Sequence, residues 1–350
     1  MRIAIDVSPL ESGHKIRGVG FYLKNLKDSL ETYFPTNTYT YFTGKLPGGV
    51  FDVIHYPYFD PFFVSLPFFH SYPVVVTVHD LTPIIFPSEF PAGVRGSLKW
   101  RMNKFLLSKA DIIITDSDSS TKDVSKFVRI ASSKVKTVTL AAGKEFHPLK
   151  KVSPLFKNLQ KKYDLPEKFV MYVGDVTWNK NLPRLCKAVI DSNVPLVMVG
   201  KAITDKDFDE ANPWNKDRVL MHNLIKNNSL FFPVGFISTE DLNILYNKAS
   251  ALVMPSLYEG FGLPVAEAMQ SGCPVITSRE GSLSEVGGEA VLYVDAYSQD
   301  SISAGIKKVF NLESLQHDLS KKGIVQSKKF SWKITAEKTL KAYELALKEA

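Results

Sequence analysis

Short apolar runs do most to limit what this chain can become. Val74-Val-Val-Thr-Val78, Ile112-Ile-Ile-Thr115, Phe169-Val-Met-Tyr-Val173 and Ala251-Leu-Val-Met254 lack the polar alternation of a half-exposed strand. Each reads as a strand buried on both faces. Arg2-Ile-Ala-Ile-Asp-Val7 begins the series, and stretches of helical length separate its members. Strands and helices in alternation predict open parallel sheets covered by helices, an α/β fold. The 350 residues leave room for two such domains. Expected boundaries are 1–150 and 151–330, with the basic stretch Lys150 to Lys162 as linker and first helix of the second domain. A last helix is expected from Phe330-Ser-Trp332 to the C-terminus.

One run leads into the stretch Pro255-Ser-Leu-Tyr-Glu-Gly-Phe-Gly-Leu-Pro-Val-Ala-Glu267. Gly260 and Gly262 let a loop backbone approach a ligand closely. Pro264 suits the first turn of a helix, where its missing N–H costs nothing. Strand, glycine loop and helix in that order turn free N–H groups and the positive end of a helix dipole toward the loop, which favours phosphate. Glu259 and Glu267 frame the loop with seven residues between them. Taken as isolated glutamates, they are equally well explained by a helix start and a solvated loop.

Similar layouts recur. Gly18 and Gly20 stand between the first strand and a helix running to about Glu31. Gly174-Asp-Val-Thr-Trp-Asn-Lys180 precedes another helix, and Gly235-Phe236 precedes the capping pattern Ser238-Thr-Glu-Asp241. His79 follows a strand end, where ligands of open α/β sheets gather.

Composition of 45% hydrophobic and 23% charged residues fits a globular protein. The net charge of +7 admits nucleic acid, a membrane surface or an anionic substrate as partner. No nucleic-acid module is legible, so no nucleic-acid partner is expected. The most apolar region, Phe51 to Val78, is interrupted by Pro57, Pro61, Pro67 and Pro73 and cannot be one spanning helix. Its aromatic part, Tyr56 to Tyr72, reads as a proline-shaped loop packed on the domain, or as a rim for a lipid-linked acceptor. A helix over Ala92 to Lys109 places Val94, Leu98, Met102, Phe105 and Leu106 on one side among basic residues. That face is either solvated or a contact with anionic lipid. Cys186 and Cys273 show no metal-like spacing and read as reduced core residues of a cytosolic protein. Met1 runs directly into the first strand, so no signal peptide is expected.

The run P-S-x-x-E-G-F-G-L-P-x-x-E-A-M-x-x-G-x-P-V-I, from Pro255 to Ile276, resembles the E-x7-E signature of the retaining glycosyltransferases of family 4, group 1. V-T-x-H-D-L, ending at Leu81, and V-G-x-x-x-x-x-K-N, from Val173 to Asn181, are similar to further motifs of that family. The resemblance implies the GT-B architecture: two facing Rossmann-like domains, an active site in the interdomain cleft, and a helix over 331–350 crossing back to the first domain.

It also implies roles. Lys180 would hold the donor diphosphate, Glu259 the sugar hydroxyls and Glu267 the ribose, with His79 facing the donor sugar. Gly18, Gly20, Gly174, Asp175, Gly260, Phe261, Gly262, Leu263 and Val265 would line the donor, and Gly235 and Phe236 the base. Asp175 and Asn179 stand where the family often has arginine, so one cationic grip is missing or comes from Lys201, Arg184 or the Gly18 turn. No Asp-x-Asp metal signal is present, and neither metal nor other cofactor is expected. The implied reaction is metal-independent retaining transfer of a hexose, mannose favoured, from a GDP- or UDP-sugar. The acceptor would be a glycan or lipid-linked glycan in surface polysaccharide or lipopolysaccharide assembly. The expected place is the cytoplasm, either free or, should the basic helix contact lipid, peripheral to the inner membrane face. Alternatives are an epimerase or phosphorylase of the same architecture, or a catalytically silent scaffold subunit.

Overall fold

The computed structural model describes residues 1–11 and 18–349. It divides into two compact units. One is Met1–Ala141 together with the chain from Phe330 onward, and the other is Ala142–Lys329.

In the first unit the strands are β1 (Arg2–Asp6), β2 (Thr38–Phe42), β3 (Val53–Tyr56), β4 (Val74–Val78), β5 (Ile112–Thr115) and β6 (Val135–Thr137). All pairs are parallel, in the order β2-β1-β3-β4-β5-β6. The second unit holds β7 (Val170–Val173), β8 (Leu196–Val199), β9 (Phe231–Gly235), β10 (Ala251–Met254), β11 (Val275–Thr277) and β12 (Leu292–Tyr293). Its order is β12-β11-β10-β7-β8-β9, again all parallel. The strand order reverses between β1 and β3 in one sheet and between β7 and β10 in the other. Such reversals open a crevice at the carboxyl ends of the strands.

Every apolar run of the sequence is one of these strands, and β3, β4, β5, β8, β10 and β11 are buried throughout. Covering both faces of a sheet is what makes such runs stable in water. Cys186 and Cys273 are free and buried, and burial pushes both thiols up to about 12.

The division between the units falls at Ala141/Ala142, ahead of residue 150. The segment after it is fastened to the second unit. Phe146 packs edge-on to Tyr246 at 5.8 Å, Gln270 Nε2 donates to the carbonyls of Gly143 and Phe146 at 2.8 Å each, and the Leu149 N–H donates to Asn247 Oδ1 at 2.7 Å. The last helix, Trp332–Glu349, belongs to the first unit. Thr335 Oγ1 donates to the Thr139 carbonyl at 2.7 Å, and Tyr343 Oη lies 2.8 Å from His55 Nδ1.

The helix Gly93–Ser108 keeps most of its apolar side uncovered, as both readings of that face require. It buries Asn103, Leu106 and Leu107, while Val94, Leu98 and Phe105 of the expected apolar side are exposed. Asn103 decides which face turns inward. Its Nδ2 donates to the carbonyls of Asp60, Pro61 and Phe63 at 3.2, 3.0 and 2.9 Å. Those carbonyls belong to the aromatic loop, whose Tyr56, Phe59 and Leu66 are buried while Phe63, Phe68 and Phe69 are exposed. Among the described residues no helix is long and apolar enough to cross a membrane.

Candidate active site

The residues singled out by sequence fall into two groups, one in each unit. In the second unit the loop after β7 and the loop after β10 meet at the strand-order reversal. Lys180 Nζ donates to Glu259 Oε1 at 2.8 Å and to Oε2 at 2.7 Å. Both side chains are largely buried, at 19% and 8% exposure, so solvent weakens the pair little. Neighbouring bonds hold the two loops in register. Asn179 Nδ2 donates to the Tyr258 carbonyl at 2.9 Å and the Leu257 N–H to the Asn179 carbonyl at 2.7 Å. Asn181 Nδ2 donates to the carbonyls of Pro255 and Ala296 at 2.9 and 2.7 Å. Asn181 has φ of 60°, a conformation asparagine tolerates better than most residues.

Glu259 is also held through its backbone. Ser282 Oγ donates to the Glu259 carbonyl at 3.0 Å. Gly281, at φ +59°, packs so closely that a Cβ there would lie 2.6 Å from the Glu259 carbonyl oxygen and 2.9 Å from its nitrogen.

Gly260, Phe261 and Gly262 are buried. Gly262, at φ 98°, is the residue before the helix Leu263–Gln270, and a side chain there would meet Leu283 at 2.9 Å. Val265 is fully buried and its N–H donates to the Gly262 carbonyl at 3.0 Å. Glu267 lies inside that helix, 9% exposed, accepting from Tyr246 Oη at 3.0 Å. Burial pushes its carboxyl up to about 7, and the Tyr246 bond pulls it partly back.

Gly174, Gly200 and Gly235 stand side by side at the ends of β7, β8 and β9. The Gly174 N–H donates to the Val199 carbonyl at 3.0 Å and the Gly200 N–H to the Gly235 carbonyl at 2.9 Å. A Cβ on Gly200 would lie 2.0 Å from the Gly174 carbonyl oxygen, so no other residue fits that edge. Asp175 turns its carboxylate onto the Val176 N–H at 2.9 Å, and Phe236 is exposed. Arg184, one of the candidate extra cations, is committed to Asn181 Oδ1 at 2.5 Å and the Ala296 carbonyl at 3.1 Å. Lys201 is exposed, directly after Gly200.

In the first unit His79 follows β4. Its Nδ1 lies 2.7 Å from Asp116 Oδ2, and its Nε2 is buried with no hydrogen-bond partner among the described residues. Burial acts to lower the imidazole pKa, but the charge and hydrogen bond of Asp116, with Asp80 and the Pro57 backbone, outweigh it and raise the value. Tyr22 packs edge-on to the His79 ring at 4.8 Å. Gly18 and Gly20 open the helix Gly18–Tyr33. The remainder of that glycine turn, residues 12–17, lies outside the described residues.

Four features escaped the sequence reading. Asp116 meets His79 only through strand pairing, because β4 and β5 pair with Val78 opposite Thr115, which sets the next residues, His79 and Asp116, side by side. Asn179 and Asn181 were read only as departures or spacers, and nothing in the sequence ties Tyr246 to Glu267. Among the described residues no three His, Cys, Asp or Glu side chains come together as metal ligands would.

The chain matches Glycosyl transferases group 1 over residues 156–326 and Glycosyltransferase Family 4 over residues 12–140, and it belongs to that family. Its particular relatives include the serotype-specific mannosyltransferase WbdA of Escherichia coli, 28% identical over 303 residues, 83% of this chain and 36% of that protein. The chain thus spans only about a third of the length of WbdA. The O-antigen chain mannosyltransferase B of Escherichia coli is 29% identical over 77% of this chain and 70% of that protein. Among solved structures, sucrose-phosphate synthase from Thermosynechococcus elongatus matches with a TM-score of 0.75 at 19% identity, covering 98% of each chain. The fold is accordingly that of the GT-B glycosyltransferases, with a Rossmann-like sheet in each unit.

Proposed function

We propose that the chain transfers a hexose, with mannose favoured, from a nucleoside-diphosphate sugar to a hydroxyl of a growing or lipid-linked glycan in O-antigen or related surface-polysaccharide assembly. Family membership and the names of the mannosyltransferase relatives support this reading. The observation that carries it is the buried Lys180–Glu259 pair at the reversal of the second sheet, beside the helix that Gly262 opens.

Breaking a sugar–diphosphate bond builds positive charge on the sugar ring and negative charge on the departing phosphate. Preorganised donors aimed at that phosphate stabilise the transition state. An ammonium has three N–H donors. Two of those on Lys180 go to Glu259, and the third is assigned here to the diphosphate, beside the amides of Gly262 and Leu263. Glu259 keeps lone pairs for sugar hydroxyls, and Glu267 accepts from the ribose hydroxyls. His79, oriented by Asp116, offers Nε2 to the donor sugar. The reaction is assigned as retaining, the leaving phosphate oxygen taking the acceptor proton on the same face. Diphosphate charge is neutralised by Lys180 and amides without a metal ion.

Incubation of GDP-, UDP- and ADP-sugars with a mannosylated lipid-linked glycan as acceptor, following nucleotide release with and without a chelator, tests the proposal. Release from one donor, unaffected by chelator, is the expected result. Release from none would remove the transfer reading, and loss of release with chelator would remove its metal-independent part. The anomeric configuration of the product, read by NMR, tests retention.

A further inference from the structure

The exposed apolar side of the helix Gly93–Ser108 does not stand alone. Asn103, fully buried, fixes this helix to the aromatic loop through three carbonyls. Lys99 Nζ lies over the Phe63 ring at 5.1 Å, and Lys109 Nζ is 4.4 Å from the Phe105 ring centre and 6.0 Å from that of Phe69. Helix and loop therefore form one surface. On it stand Phe63, Phe68, Phe69, Val94, Leu98 and Phe105, with Phe69 90% and Val94 79% exposed. An aromatic ring left that bare forfeits burial worth having unless something covers it.

Charge selects the occupant. Residues 92–110 contain Arg95, Lys99, Arg101, Lys104 and Lys109 and no acid, and residues 61–79 contain no acid either. Asp60, at the base of the loop, is occupied by Tyr58 Oη and the N–H groups of Phe62 and Phe63. A second copy of the chain would set this cationic face against itself, so a symmetric dimer through it is disfavoured. Aromatic side chains that enter the headgroup level, ringed by lysine and arginine, instead match an anionic bilayer surface. We propose that this helix–loop face docks the protein on an anionic bilayer, the phenylalanines entering the interface and the cations pairing with lipid phosphates. The inference goes beyond the transfer reaction and stands or falls independently of the donor.

The full chain is sedimented with phosphatidylcholine vesicles, with and without phosphatidylglycerol, at low and high salt. Binding only to the anionic vesicles, weakened by salt, is expected. The pairs Phe68→Ser/Phe69→Ser and Lys99→Gln/Arg101→Gln should each weaken it by about tenfold. Both pairs are solvent-facing, and circular dichroism checks that they fold. The pair Leu220→Ser/Val325→Ser, exposed apolar residues of the second unit, should bind as the parent does. Three results would overturn the proposal: equal binding to neutral vesicles, no response to either pair, or a dimer in solution that the same pairs abolish without any vesicle binding.

Discussion

Lys180 and Glu259 are each other's partners, so removing one has two separable effects. Lys180→Ala should lower turnover by about 10²–10³ if the ammonium acts as one transition-state donor. It should also cost about 3 kcal/mol of stability, because Glu259 is left buried and uncompensated. Lys180→Ala/Glu259→Ala should regain most of the stability but none of the turnover. Parental turnover in the single variant would remove Lys180 from the reaction. Glu267 gives a pH test. Its carboxyl sits at about 7 through burial, and the ionised form is the better acceptor for ribose hydroxyls. Affinity for a nucleotide sugar, whose diphosphate stays ionised across this range, should rise as pH increases through about 7. Tyr246→Phe removes the bond that lowers this value, so the inflection should move to higher pH. Glu267→Gln should abolish it; calorimetric titration across the range decides. The glutamates and Lys180 were legible because their spacing and glycine setting are local in sequence. Asp116 and Tyr246 were not, since each meets its partner only through packing, Tyr246 from a helix 21 residues before Glu267.

At the scale of elements, the glycines divide into those that only need a positive φ and those that are also pressed against backbone. Gly44, at φ +71°, has nothing within 4 Å of a built Cβ, whereas at Gly281 the Glu259 backbone lies 2.6 Å away. Gly44→Ala should therefore cost about 1 kcal/mol of conformational strain alone. Gly281→Ala should cost clearly more and also weaken donor affinity, because the loop carrying Glu259 must move. Denaturant unfolding of the two variants, with donor titration, makes the comparison. Equal cost and unchanged affinity would mean the loop yields freely. Strand positions were readable because runs such as Ile112–Thr115 have no other stable place than a covered sheet. Their order was not, since pairing β7 with β10 joins segments separated by two intervening strands. In the helix Gly93–Ser108 the apolar stripe was legible but the covered side was not, because apolar periodicity measures which side is greasy, not which side is covered. There a single asparagine bonded to three carbonyls outweighs the stripe.

For the molecule as a whole, the two ends of the chain are joined inside the first unit by a buried polar chain. Tyr343 Oη lies 2.8 Å from His55 Nδ1, His55 Nε2 lies 2.8 Å from Thr77 Oγ1, and Thr77 Oγ1 lies 3.1 Å from Tyr22 Oη. No motif announces it, since its members span 288 residues between Tyr343 and His55. Burial, with the nearby His79, pushes the His55 imidazole from 6.5 down to about 3. A depressed value means the folded state holds His55 neutral. Its contribution is fully present above pH 6.5 and is lost as pH falls toward about 3. The Glu267 carboxyl in the second unit runs the other way. It is raised from 4.5 to about 7, so its contribution is complete below 4.5 and is lost as pH rises through about 7. Tyr343→Phe leaves His55 Nδ1 buried without its partner and should destabilise the first unit by about 1–3 kcal/mol at neutral pH, while the acid sensitivity remains. Replacing both members, His55→Phe with Tyr343→Phe, removes the titrating ring together with the orphaned atom and should flatten the acid limb. Urea unfolding followed by tryptophan fluorescence at a series of pH values separates these cases. An acid limb of unchanged steepness in the double variant would show that some other group, and not the histidine joining the two chain ends, sets the acid stability of the protein.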